Sequence, residues 1–157
     1  MRLLAESRLA RQAADARSAG RAGDAAAARD QFAALLPVRE RVSGPEQPDT
    51  LRARHNLARW TGEAGNAAEA RDQLAALRPI QQRVSGPEHP DTLNTRRGLA
   101  RSTGEAGDAA AARDQLAALL PIQERVSGPE HPDTRDTRRS LTRWASQASS
   151  NSASGER

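Results

Sequence analysis

The chain has 157 residues, 36% hydrophobic and 28% charged, with a net charge of +4, no Cys and no Lys, so that all 24 basic residues are Arg. This excludes disulfides, thiolate metal sites and every lysine-dependent chemistry, from phosphate-loop ATP binding to Schiff bases. No apolar run approaches the ~18 residues of a membrane span, and a charge of +4 is weak for a nucleic-acid binder.

A block of 42 residues occurs three times in succession, and residues 61–102 match 103–144 at 33 of 42 positions without a gap. A fixed period of this size predicts a stacked array in which each unit buries its apolar face against its neighbours. The expected divisions are 1–18, a degenerate N-terminal helix; 19–60, 61–102 and 103–148, three repeats, the last with a capping helix; and 149–157, a disordered tail. The expected fold is all-α, a solenoid of stacked antiparallel helix pairs with about seven helices.

In chain order, "RLLAESRLARQ" overlays "TLRARHNLARW", so Leu3 and Leu9 match Leu51 and Leu57. Each full repeat then carries two helices. In the repeat 61–102, Asn66 with Glu69 three residues on spells a capping box, and Asp24 and Asp108 hold the equivalent N-cap position. The run that follows places Ala70, Leu74, Leu77 and Val84 on one face. Gly86 and Pro87 stop it, because Gly tolerates a left-handed cap and Pro cannot continue a helix. Pro37, Pro79 and Pro121 fall inside this helix and predict a kink or a division in two. After "PEHPDT", Asp91 and Thr92 open a second helix with an inner stripe of Leu93, Arg96, Leu99, Ala100 and Thr103, closed by "GEAG". Beyond about Ser146 the tail "QASSNSASGER" has nothing to bury.

The repeated "GPEHPDT", the Leu–Ala pairs Leu57-Ala58 and Leu99-Ala100, the "GEAG" junction and Ala28, Ala70 and Ala112 resemble the tetratricopeptide repeat. The 42-residue period is that of kinesin light chains and many bacterial proteins; heavy Arg and Ala usage also suits a GC-rich bacterial genome. A bulky residue follows each small Ala four places on (Phe32, Leu74, Leu116). Thr61 and Thr103 stand where the family usually has an aromatic, so weaker packing is expected there.

The resemblance implies a non-catalytic adaptor or scaffold whose concave groove binds a protein or peptide partner. Its groove positions fall at Arg52, His55 and Arg59; Asn94, Arg97 and Arg101; and Asp136, Arg139 and Arg143, with Leu4, Ser7 and Arg11 in the degenerate copy. Arg forks take carboxylates at two points, so an acidic peptide or acidic C-terminus is the expected ligand. The alternative is an array that serves as the sensor of a larger signalling ATPase or regulator.

No catalytic residue, cofactor or metal is expected. His89 and His131 lie one repeat step apart and cannot share a zinc, whose nitrogen ligands sit ~2 Å from the metal. His89-Pro90-Asp91 and His131-Pro132-Asp133 spell a co-chaperone tripeptide but recur on the repeat period, as a turn would. Trp60 and Trp144 share one repeat position and are expected to pack against a neighbouring helix. No specific nucleic-acid partner is expected, since aromatics for base stacking are almost absent. The first residues lack the apolar core of a signal peptide, which suggests the cytoplasm.

Overall fold

A computed structural model describes residues 2–21 and 23–155. It contains seven helices and, among the described residues, no strand: α1 (Arg2–Arg21), α2 (Ala25–Val42), α3 (Pro48–Glu63), α4 (Ala67–Val84), α5 (Pro90–Glu105), α6 (Ala109–Ser127) and α7 (Pro132–Gly155). Each helix packs on its neighbours in sequence, while α3 also meets α5 and α5 meets α7. The α-solenoid expected from the period is the fold observed. No described helix is long and apolar enough to cross a membrane.

Local chemistry accounts for most helix ends. Asp24 and Asp108 cap α2 and α6, accepting hydrogen bonds from the Ala27 and Ala111 N–H groups at 2.8 and 2.9 Å. Asn66 occupies the same place before α4 but makes no side-chain cap bond. Its N–H already donates to the Thr61 carbonyl at 3.0 Å, and Glu69 instead accepts from Gln73 Nε2 at 3.1 Å. The expected capping box is therefore absent.

The His-Pro-Asp turns are caps. His89 Nδ1 accepts from the Asp91 N–H and His131 Nδ1 from the Asp133 N–H, both at 3.2 Å. Pro90 and Asp91 then open α5, the carboxylate complementing the positive helix end. Gly86 and Gly128 leave the preceding helices with φ of 106° and 96°, values that other residues rarely adopt.

Three expectations change. First, α1 is unbroken and its Gly20 stands in register with Gly62 and Gly104, which puts Leu9 rather than Leu3 at the place of Leu51; of the two outcomes expected at Pro37, Pro79 and Pro121, division is absent from α2, α4 and α6. Second, Val84, the last residue of α4, is 39% exposed, and the stripe Ala70, Leu74, Leu77 is completed by buried Gln81 instead. Third, the tail expected to be disordered is helical as far as Gly155. Trp144 and Ala148 of α7 pack with Ala100, Ala112 and Leu116 and seat the helix from which this tail extends; Ser149, Ser150, Ser152 and Ser154 each donate to the carbonyl four residues back, at 3.0–3.1 Å. The last two residues of that expected tail lie outside the described residues.

The apolar core is divided in three. One cluster joins Leu9, Ala16, Ala28, Phe32 and Trp60, and another joins Ala100, Ala112, Leu116 and Trp144. The middle cluster is only Ala58, Leu74 and Leu99. The reason is one residue. Trp60 and Trp144 fill the same repeat position, and Ser102 stands there between them. Each Trp lies over a glycine 40 residues earlier: a Cβ on Gly20 would sit 2.3 Å from the Trp60 ring, and one on Gly104 would sit 2.6 Å from the Trp144 ring. Gly62 is the equivalent glycine in the middle, and a Cβ there would meet only the Ser102 hydroxyl on that side, at 3.9 Å.

Thr61 and Thr103, at the place of the family's aromatic, are buried and donate to the Leu57 and Leu99 carbonyls, both at 2.8 Å. Between units, Arg83 grips both carboxylate oxygens of Glu46, and Arg125 those of Glu88. These exposed pairs add little stability but tie consecutive units at the same register.

Candidate functional site

The seat left open at Ser102 is the floor of a cleft of about 470 Å³. Gly62, Leu74, Gly98 and Ser102 form its base, and Trp144 closes one side. Helices α3, α5 and α7 supply the walls.

The structure brings His55, Arg59, Asn94, Arg97, Arg101, Asp136, Arg139 and Arg143 together around this cleft. Arg52 is not among them. It lies in a separate hollow beside Arg39, Ala53 and Asn56, where it pairs with Asp91 at 3.1 Å and Asp49 at 3.4 Å. Of the degenerate copy's positions, Leu4 is 74% exposed, and neither it nor Ser7 nor Arg11 reaches the cleft.

The arginines divide into two kinds. Arg97 donates to Asp133 Oδ1 at 2.6 Å and to Asn94 Oδ1 at 3.2 Å. Arg101 is held between Glu63 at 2.9 Å and Glu105 at 2.8 Å, and Arg139 pairs with Asp136. These three are partly neutralised. Arg59 and Arg143 instead stack over the rings of Trp60 and Trp144, at 4.7 and 4.4 Å from the centroids. Neither has a carboxylate partner among the described residues. A stacked guanidinium keeps its in-plane N–H groups free for an acceptor. Five arginines face Glu63, Glu105 and Asp136, and Asp133 pairs with Arg97 from outside the lining, so the surplus is one positive charge.

His55 adds none. Its Nδ1 lies 3.0 Å from Thr95 Oγ1. Burial above all, and then the Arg59 charge, lowers its pKa from 6.5 to about 4. The folded chain thus keeps His55 neutral while the unfolded chain protonates it below pH 6.5. Its contribution to stability is full above pH 6.5 and falls as pH drops toward 4. After allowance for its partial exposure, about 1–2 kcal/mol is expected to be lost across that window. Urea unfolding between pH 7 and pH 4 should show a smaller slope for His55→Gln than for the unaltered chain; equal slopes would remove His55 from this account.

Sequence reasoning missed the floor. Its signal was present in the 42-residue register, as Ser102 between Trp60 and Trp144, but a small residue in a helix announces no cavity until the opposing glycine is in place. Among the described residues no cluster of His, Asp or Glu has a metal-holding arrangement.

The tetratricopeptide repeat profile matches residues 16–79 and 63–125. A solved structure of a Podosopora anserina protein, assigned as a kinesin light chain with nearly identical TPR-like repeats, aligns with a TM-score of 0.79 at 28% identity. The alignment covers 88% of this chain and 65% of that one, so the chain spans just under two thirds of that protein's length. BtubC (BKLC) from P. vanneervenii aligns with a TM-score of 0.78 at 17% identity, covering 90% of this chain and 56% of its own, a likeness of fold. No curated protein sequence matches the chain.

Proposed function

The chain belongs to the tetratricopeptide repeat family, and from that premise we propose that it is a non-catalytic adaptor or scaffold whose concave cleft holds an acidic segment of a partner protein. Repeats of this family generally serve as protein–protein interaction modules. The observation that carries the acidic preference is that Arg59 and Arg143 line the cleft with no carboxylate partner among the described residues. Arg59 and Arg143 are the rungs with free hydrogen-bonding capacity, and Arg97, Arg101 and Arg139 shape the wall through their internal pairs.

The test follows from that division. Reversing Arg97 or Arg101 would break an internal ion pair as well as a ligand contact. Arg59→Glu and Arg143→Glu remove the free cations and leave those pairs in place. Each is expected to weaken binding of a fluorescein-labelled Asp/Glu-rich peptide at least tenfold in anisotropy titrations. Unchanged affinity in both variants would overturn the cleft as the acidic-peptide site.

A further inference from the structure

The middle unit also departs from its neighbours away from the cleft. In the first unit, Arg54 donates to Glu40 Oε1 through Nη2 at 2.6 Å and Nε at 3.2 Å. In the last, Arg138 Nη2 donates to Glu124 Oε1 at 2.7 Å. The 42-residue register puts Arg96 at the place of Arg54 and Arg138, and Gln82 at the place of Glu40 and Glu124. The middle arginine has therefore lost its carboxylate.

A second cation has been added at the same spot. Arg78 stands where Leu36 and Leu120 stand, one helical turn before Gln82 on α4. Leu36 lines an apolar notch of about 190 Å³ together with Arg54 and Leu57. The equivalent placement sets Arg78 beside Arg96. The electrostatics agree: burial, and then the Arg78 charge, hold the Arg96 pKa below its usual value. Among the described residues neither arginine makes an ion pair. Arg78 is exposed, while Gln82 and Arg96 are half-buried.

Two adjacent guanidiniums, one partly desolvated, oppose each other unless an anion lies between them. We infer that Arg78, Gln82 and Arg96 form a binding site for a phosphate-type oxyanion. A single carboxylate balances one arginine, as in the flanking units, and would leave a charge over. A phosphate or phosphate monoester carries about −1.5 to −2 at pH 7 and presents three acceptor oxygens. Two arginine forks and the Gln82 amide group match that charge and donor count. The site shares no residue with the cleft lining.

Three proteins decide the matter: the unaltered chain, Gln82→Glu and Arg78→Leu. Each variant restores a residue of the flanking units, so both are expected to fold. Calorimetric titrations and thermal melts with inorganic phosphate, against sodium chloride at equal ionic strength, should give a saturable response in the unaltered chain. The response should be at least tenfold weaker in both variants, and Gln82→Glu should melt higher than the unaltered chain without phosphate. An equal phosphate response in all three proteins, or one reproduced by chloride, would overturn the site. O-phosphoserine run in parallel separates the sources: tighter binding than inorganic phosphate supports a phosphorylated partner, and equal binding supports the free ion.

Discussion

Replacing Ser102 with Trp is expected to raise the melting temperature by roughly 4–8 °C and to abolish capture of an acidic peptide. The flanking units show how the indole would sit. Trp60 lies over Gly20 and Trp144 over Gly104, and Gly62 offers the same bare backbone opposite Ser102. Burying an indole removes up to ~150–250 Å² from water. At about 25 cal/mol per Å², reduced by up to ~40% for the compactness of real unfolded chains, the lower end of this range is about 2 kcal/mol, and the expected shift is taken from that lower end. The same side chain would fill the floor of the 470 Å³ cleft. Thermal circular dichroism and peptide anisotropy on one sample check both halves. A higher melting temperature with unchanged peptide affinity would place the ligand elsewhere on the array.

The second large effect is loss of a Trp that is present. Trp144 is 2% exposed and anchors the cluster of Ala100, Ala112 and Leu116. Trp144→Ala is expected to destabilise by about 3–5 kcal/mol, because the surrounding alanines cannot collapse into the space. That is a large part of the ~5–15 kcal/mol available to a typical domain. In a nearest-neighbour array the loss should concentrate in α5 to α7, so amide exchange there should accelerate more than in α1 to α3. Uniform acceleration would instead describe one cooperative body. Gly104→Ala approaches the same defect from the other side, since its Cβ would lie 2.6 Å from the indole, and about 1–3 kcal/mol is expected. Gly62→Ala is the control: its nearest neighbour is the Ala70 Cβ at 3.3 Å, and a gain in helix propensity offsets that contact.

Both predictions rest on a division of labour among near-identical units. Outer units with Trp make larger apolar clusters, and the middle unit gives up that burial for a cleft. The result is a site held between two better-packed ends, which suits a binding surface that must keep its shape without a ligand. The alanine-rich seams elsewhere add little area per residue, so the two indoles carry a disproportionate share of the apolar burial.

The period, the number of helices and most of their ends were legible in the residues alone. These follow from local chemistry: an Asp that caps its own helix, a Pro that opens the next, a Gly that leaves the last. The sequence also grouped the residues of α3, α5 and α7 that line the cleft, because residues at fixed offsets on equivalent helices must share a face. It failed where partners lie a repeat apart. Arg97 is tied to Asp133 and Arg101 to Glu63; Arg101 also has Glu105 one turn on, but Arg59 has Glu63 at the same offset and does not pair with it, so local spacing does not tell the occupied arginines from the free ones. Arg52 likewise is held by Asp91, a repeat away, as well as by Asp49. Val84 gave way to Gln81 because burial depends on what stands opposite, which helical period alone does not contain. The cleft is the clearest case. Ser102 is one small residue in a helix, Gly62 is another, and their joint emptiness exists only once stacking has set them face to face.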